Sequence, residues 1–150
     1  MRVSTARQLL PWAPLILRLS LGAIFIAHGG QSLFGWWGGS GLSASMDVLK
    51  TSLRIPAYLI LISILTEFFG GVAVLCGLLT RIAAVGLGID MFVAITKVHA
   101  VNGFFLNWNG VPGQGHGYEF SLALLAMSLA VALTGPGRLA LDHILGFEDE

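Results

Sequence analysis

The sequence has few charged residues and a single cysteine. Asp, Glu, Lys and Arg make up 11% of its 150 residues, against about 25% in a typical soluble domain. A chain with so little charge cannot cover a water-facing surface, which excludes an ordinary soluble domain and a disordered chain. Eight basic residues balance eight acidic ones, so no basic stripe is available to bind nucleic acid. With Cys76 alone, the chain cannot form an internal disulfide or cycle an internal dithiol.

Apolar residues are abundant instead, at 55% of the chain, and they fall in long runs. A helix crosses the bilayer core with about 20 mainly apolar residues. Four stretches meet this requirement, at about 15–34, 57–79, 82–101 and 118–134. The runs are continuous and lack the two-residue alternation of a membrane β-barrel. We therefore predict an all-α fold, a polytopic membrane four-helix bundle that forms a single domain over residues 1–150.

Basic residues are unevenly distributed between the two ends of this bundle. With the N-terminus inside, the inner ends carry Arg2, Arg7, Arg81 and Arg138, and the outer loops carry Lys50 and Arg54. The first apolar stretch is expected to be a retained helix, because Arg18 would interrupt the core of a signal peptide. We expect a multi-pass protein of a bacterial-type cytoplasmic (plasma) membrane, and the positive-inside rule predicts both termini in the cytoplasm.

Two loops carry patterns of their own. In the first loop, apolar residues recur at helical spacing, at Leu42, Met46, Leu49 and Leu53. This pattern predicts a short amphipathic helix on the outer surface, with Trp36 and Trp37 at the level of the lipid headgroups. The third loop, residues 102–117, has no Lys, Arg, Asp or Glu, but it is rich in glycine and aromatic residues. We expect it to form a cap over the bundle.

Several ionisable residues lie inside the predicted spans, where a central charge costs at least about 2.5 kcal/mol. They are Arg18, His28, Glu67, Asp90, Lys97, His99 and, at the head of the fourth span, Glu119. At about 1.5 Å per residue, two of the acidic residues, Glu67 and Asp90, fall near the midplane. Arg18 falls about 10 Å toward the cytoplasmic face, and the others share the outer half. Their convergence on one level predicts a polar cavity that is biased toward the outer side.

Helical rotation predicts which of these side chains face each other. Asp90 and Lys97 are seven residues apart and share one face of the third span, whereas His99 lies about half a rotation from Asp90. His99 is therefore expected at the lipid interface. Structural alternatives stay open for the others. An ion-pair network could merely fix helix register, Lys97 could extend to the headgroups, and Glu119 could stabilise its helix N-terminus. His28 could be a hydrogen-bonded helix histidine.

Short motifs along nearly the whole chain resemble the DoxX/DoxD-like membrane family. They are Arg18-x3-Gly22, His28-Gly29-x3-Leu33-Phe34-Gly35, Glu67-x2-Gly70-Gly71 with Gly77 and Thr80-Arg81, Gly117-x-Glu119 and Gly135-Pro136-Gly137-x4-Asp142. The resemblance implies a four-helix membrane subunit associated with oxidoreductase chemistry, including thiosulfate:quinone oxidoreductase and quinol-linked systems. Each motif is short, and their joint order carries the resemblance.

The first functional hypothesis is a membrane subunit of a quinone-linked oxidoreductase. Glu67 and Asp90 are the candidate catalytic residues, since quinone chemistry moves protons with electrons. The candidate cofactor-binding residues are His28, Lys97, Glu119 and Arg18. No Cys/His spacing indicates a metal site, and no dinucleotide-binding motif is present, so electrons would pass through a quinone, a haem or a soluble oxidoreductase partner. Haem would need His28 paired with His99 or His116, and we do not expect it.

Two other functions use the same buried residues. One is transport or binding of a proton or a small solute, and the other is a non-catalytic scaffold that recruits a soluble oxidoreductase to the bilayer. The sequence does not name a substrate, and it leaves open whether the chain forms a homo-oligomer.

Overall fold

The protein is helical throughout the part of the chain that the computed structural model describes, residues 8–53 and 55–148, and no β-strand occurs there. The helices are α1 (Leu10–Phe34), α2 (Gly41–Leu53), α3 (Ala57–Cys76), α4 (Thr80–Asn102), α5 (Glu119–Thr134) and α6 (Leu141–Ile144). The predicted all-α class is confirmed. Arg2, Arg7 and Arg54, on which the predicted orientation partly depends, lie outside the described residues.

Four of these helices are apolar rods that pack into a bundle. By length and composition, α1, α3 and α4 are the helices within residues 8–53 and 55–148 that are long enough to cross a membrane. Helix α5 is equally apolar but has 16 residues, about 24 Å of helix. The structure therefore supports a membrane bundle with three full-length spans and a shorter fourth helix.

The helix boundaries follow from proline and glycine. Helix α1 begins five residues before the predicted span, because Pro11 and Pro14 fall at the starts of its 3₁₀ and α-helical parts, where a missing N–H costs nothing. Helix α3 ends at Cys76 instead of residue 79, because the next residue, Gly77, adopts a left-handed conformation with φ of 69°. Leu79 is also left-handed, so the chain reverses within three residues.

Helices α1 and α3 are in direct backbone contact at glycines. A methyl group added at Gly22 would lie 2.8 Å from the carbonyl oxygen of Gly71, and one added at Gly29 would lie 2.5 Å from the backbone nitrogen of Phe68. Small residues allow this approach, which is how membrane helices pack without a hydrophobic driving force. The contact at Gly29 sets the position of the α3 segment that carries Glu67.

The core lies between α1, α3, α4 and α5, whereas the outer faces of the helices remain apolar. Buried side chains of this core include Leu21, Phe25, Val74, Ala84, Leu87, Leu124 and Val131. Large apolar residues such as Ile82, Ile89 and Leu133 are more than half exposed on the opposite faces. A bundle whose helices are apolar on both their core faces and their outer faces is typical of a protein surrounded by lipid.

The predicted amphipathic helix in the first loop is confirmed as α2. Leu42, Met46 and Leu49 are half-buried, while Asp47 and Lys50 on the other face are exposed. Leu53, the fourth predicted apolar position, is described only as the last residue of the helix.

Candidate functional site

A cavity of about 410 Å³ lies in the bundle beneath the third loop. Its walls come from α1, α3, α4, α5 and the loop, and are formed by Phe25, His28, Glu67, Met91, Ala94, His99, Leu106, His116, Gly117, Phe120, Ser121 and Leu124. Most of the lining is apolar, and the few polar side chains converge on it. The volume lies within the range of about 300–1,000 Å³ that is usual for small-molecule pockets. The sequence predicts a polar cavity at this level, whereas the walls of the observed cavity are mainly apolar and include Glu67 and His28.

Two π-helical segments shape this cavity, one in α3 (Thr66–Gly70) and one in α4 (Ile95–His99). A π turn accommodates one extra residue, so it rotates the side chains that follow it by about 100° relative to a regular α-helix. The rotation between Asp90 and His99 then falls from about 180° to about 80°. The expectation that His99 faces lipid is wrong for this reason, and His99 lines the cavity.

Glu67 and Asp90 meet at the α3–α4 interface. Their side-chain carboxyl groups are hydrogen-bonded to each other, and the Ser63 hydroxyl, one turn before Glu67 on α3, donates to Asp90 Oδ1. Glu67 borders the cavity, whereas Asp90 and Ser63 do not. The structure therefore brings together the two acidic residues that the sequence placed at one depth, with Glu67 in front and Asp90 behind.

His28 and Lys97 have different positions relative to the cavity. The imidazole of His28 lines it from α1, with its ring centroid 6.5 Å from that of Phe120. An imidazole at the cavity wall can donate or accept a hydrogen bond. Lys97 is exposed and is not among the residues that line the cavity. The geometry thus offers His28, and not Lys97, as a contact for a molecule bound there.

The third loop forms the cap, and His116 holds it to α4. The carbonyl oxygen of His116 accepts a hydrogen bond from Asn102 Nδ2 at 3.1 Å and lies 3.0 Å from His99 Nδ1. The Nδ1 atom of His116 accepts the backbone N–H of Asn107 at 3.2 Å. Because Leu106, His116 and Gly117 also line the cavity, this loop is its roof.

Glu119 serves the cap as well. Its Oε1 atom accepts the backbone N–H of Leu106 at 2.8 Å and the indole N–H of Trp108 at 3.1 Å. Glu119 does not border the cavity. The predicted cofactor contact is therefore an anchor for the loop, at the N-terminus of α5.

Arg18 lies far from the cavity wall and is fully buried. Its five N–H donors all point to backbone carbonyl oxygens, those of Val74, Leu75, Pro136, Arg138 and Leu139. The first two belong to the last turn of α3, whose carbonyls have no partner within the helix. No donor is left for a ligand, so Arg18, predicted as a cofactor contact, instead joins the end of α3 to the segment that follows α5.

Asp142 is a buried charged residue that the sequence analysis left without a role. Its carboxylate accepts the backbone N–H groups of Leu79, at 2.6 Å, and Thr80, at 2.9 Å, and also the Thr80 hydroxyl at 2.6 Å. Burial by itself raises the pKa of this carboxyl. The hydrogen bonds from Thr80 and Leu79 and the charge of Arg18 outweigh burial and hold the pKa below its usual value. In the sequence, its position in the Gly135-Pro136-Gly137-x4-Asp142 motif is the feature that could have indicated its importance.

The comparison with known families agrees with this architecture. The family model described as DoxX matches residues 13–100, which include most of α1 and α4, all of α2 and α3, and both Glu67 and Asp90. The chain belongs to the DoxX family. The predicted resemblance is therefore confirmed.

Among the residues described, no group of three or more His, Cys, Asp or Glu side chains is placed to hold a metal ion.

Three curated proteins are similar to this DoxX-family chain. An uncharacterized membrane protein of Mycobacterium tuberculosis is 44% identical over 53% of this chain, and the match spans half of that protein's length. The Bacillus subtilis protein named "Putative oxidoreductase CatD" is 33% identical over 85% of this chain and 83% of its own. The Escherichia coli inner membrane protein YqjF is 28% identical over 87% of this chain and 90% of its own. No solved structure matches. These relatives and the apolar helices support a multi-pass membrane protein.

Proposed function

We propose that this DoxX-family protein is the membrane subunit of a quinone-linked oxidoreductase and that its cavity holds the quinone head group. The observation that carries the proposal is the cavity itself, whose apolar walls are interrupted by Glu67, a carboxyl group that is hydrogen-bonded to a second carboxyl behind it. Quinone chemistry requires this combination of an apolar slot and a proton-exchanging group within the bilayer.

The residues of the cavity fit a quinone head group. Such a ring is flat and largely apolar and carries two oxygens at opposite ends. Phe25, Met91 and Phe120 supply apolar surface for the ring, while His28 and His99 can supply hydrogen bonds to the oxygens. The volume of about 410 Å³ lies within the usual range of small-molecule pockets.

The chain's own residues would handle protons and orientation. A bound quinone supplies the redox chemistry, since its reduction to a quinol takes up two electrons and two protons. Glu67 exchanges a proton at the cavity wall, Asp90 accepts or returns it from behind, and the cap formed by residues 103–118 limits access of water. The electrons pass to or from a soluble oxidoreductase partner, because the chain has one cysteine and no dinucleotide-binding motif. The name of the Bacillus subtilis relative supports the oxidoreductase class.

Binding of a short-chain benzoquinone to the purified protein in lipid nanodiscs tests the proposal. We expect saturable binding by calorimetry that Ala94→Phe, which fills the cavity, weakens by about tenfold or more. Ala100→Phe is the matched control, because Ala100 is exposed on the same helix and does not line the cavity. Equal binding to both variants, or none to the unmodified protein, contradicts the proposal.

The alternative functions give different results with Glu67→Gln. A transporter loses proton or solute flux in proteoliposomes, and a scaffold loses assembly or stability without any effect on quinone binding. The quinone-linked subunit keeps its fold, monitored by monodisperse elution in detergent, and loses quinone-dependent turnover in the presence of its natural partner.

A further inference from the structure

The carboxyl groups of Glu67 and Asp90 differ in their surroundings although they are hydrogen-bonded to each other. A hydrogen bond between two carboxyl groups requires a proton, and like charges at this distance do not both ionise. The pair therefore holds at least one proton. The remaining question is which of the two residues carries it.

The contact between Ser63 and Asp90 bears on this question. Its hydroxyl donates to Asp90 Oδ1, and a donated hydrogen bond stabilises the ionised form of a carboxyl group. No comparable donor is found for Glu67 among the described residues, and its neighbourhood in the cavity is mainly apolar. The titratable groups that line the same cavity are three histidines, His28, His99 and His116, and the lining has no Lys or Arg to form an ion pair with Glu67.

We propose that Asp90, positioned by Ser63, is the ionised member of the pair and that Glu67 carries the proton and donates it to Asp90. The proton of Glu67 then points away from the cavity. The rest of its carboxyl group, which borders the cavity, is left as a hydrogen-bond acceptor. Asp90 and Ser63 are thus positioning residues that act on the cavity through Glu67.

This arrangement favours one chemical class of ligand over another. The choice among quinones described here rests on the proposed function. A molecule bound against Glu67 is favoured if it brings a hydroxyl donor. Among quinones, the reduced form carries hydroxyl groups and the oxidised form carries only acceptor oxygens. We therefore expect the resting cavity to bind the quinol more tightly than the quinone, by about tenfold, the ratio that corresponds to leaving one buried polar group unpaired.

The proton placement can be measured without any ligand, by infrared spectroscopy of the protein in nanodiscs near neutral pH. We expect a band from the carbonyl stretch of a protonated carboxyl group. Labelling the side-chain carboxyl carbons of glutamate with ¹³C should shift this band, and the same labelling of aspartate should not. A band that follows the aspartate label, or no such band in the unmodified protein, overturns the proposal.

Variants add two independent checks. Glu67→Gln should remove the band, whereas Glu119→Gln, which changes a carboxyl that anchors the cap, should leave it in place. Ser63→Ala should make part of the band follow the aspartate label, because the donor that favours ionised Asp90 is gone, and Ser63→Thr, which keeps the hydroxyl, should restore the original pattern. If Ser63→Ala leaves the labelling pattern unchanged, Ser63 has no such role.

The ligand preference is measured separately, as the ratio of the affinities for a short-chain benzoquinol and its benzoquinone under anaerobic conditions. Asp90→Asn should bring the ratio close to one, since Glu67 can then turn its O–H toward the cavity. A ratio that Asp90→Asn does not change overturns the ligand preference. Absence of binding by both forms, together with a band that follows the glutamate label, would overturn the proposed function while supporting the proton placement.

Discussion

Asp142 and Thr80 join the C-terminal segment to the first residue of helix α4, because the Asp142 carboxylate accepts both the backbone N–H and the hydroxyl of Thr80, at 2.9 and 2.6 Å. The contact acts as a helix cap supplied from a distant part of the chain. It faces the buried Arg18, whose charge interacts with that of Asp142. Asp142 and Arg18 lie together at the end of the bundle opposite the cavity.

Asp142→Asn should destabilise the protein. The amide group cannot accept all three hydrogen bonds, and its NH₂ group faces other donors, so we expect a loss of about 2 kcal/mol or more in the free energy of unfolding. The measurement is thermal or denaturant unfolding in detergent. Glu148→Gln is the control, since the Arg81–Glu148 ion pair is partly solvent-accessible and pairs near the surface contribute about 0–1 kcal/mol. Equal stability of the two variants would show that Asp142 is not a cap.

Stability should also depend on pH through Asp142. Because its pKa is lower in the folded protein than in the unfolded chain, the stabilisation is fully present above the unfolded value of about 3.9. It is lost as the pH falls below that value and through the lowered folded pKa. The difference in thermal midpoint between the unmodified protein and Asp142→Asn should be constant near neutral pH and shrink below about pH 4. A difference that grows on acidification would contradict the lowered pKa.

Arg18→Lys should be strongly destabilising although it conserves the charge. A lysine ammonium has three donors in place of five, and it leaves at least two buried carbonyl oxygens without a partner, at a cost of about 1–3 kcal/mol each. Arg138→Lys is the matched control, because Arg138 is exposed and its guanidinium lies over the Trp12 ring at 5.2 Å. Unfolding in detergent measures both. If Arg18→Lys behaves like the control, the five contacts of Arg18 are not required.

Gly29→Ala should disturb both packing and the cavity. The added methyl group would meet the backbone of Phe68 at 2.5 Å, and a backbone cannot move aside as a side chain can. We expect a loss of about 1–3 kcal/mol in stability and weaker quinone binding, since α1 and the Glu67-bearing segment must separate. At Gly88 the nearest atoms lie at 3.5 and 3.7 Å, an ordinary contact distance, so Gly88→Ala should leave stability unchanged or slightly raised. Unaltered quinone affinity in Gly29→Ala would show that the α1–α3 contact at Gly29 does not determine the shape of the cavity.

The positions of the candidate site residues show where sequence reasoning succeeds and where it fails. Depth along each helix follows from counting residues, and it placed Glu67 and Asp90 at one level, where the structure brings them together. Rotation about each helix follows from the sequence only if the helix is regular. The π segment at Ile95–His99 shifts it by about 100°, which is why His99 lines the cavity. No residue type signals a π segment with certainty, so this shift was not predictable.

Arg18 and Glu119 show a second limit. Both are ionisable residues at membrane depth, and such residues are candidates for function by default. Most of their hydrogen bonds, however, go to backbone groups that lack a partner because α3 ends at Cys76, the chain turns after α5 and the third loop folds over the cavity. Which backbone groups lack a hydrogen-bond partner depends on where the chain turns. The spacing of residues along the sequence does not show this.

The sequence alone determined that the protein is an all-helical membrane protein, because a chain with low charge and long apolar runs has few other stable folds. It also determined the DoxX family, through the order of its motifs. It also determined the amphipathic surface helix, since that pattern is local. The tertiary structure decided which polar side chains line the cavity, which ones hold the fold, and that Asp90 lies behind Glu67. These features depend on close glycine contacts, on helical irregularities and on hydrogen bonds between distant segments, all of which form only when the chain is packed.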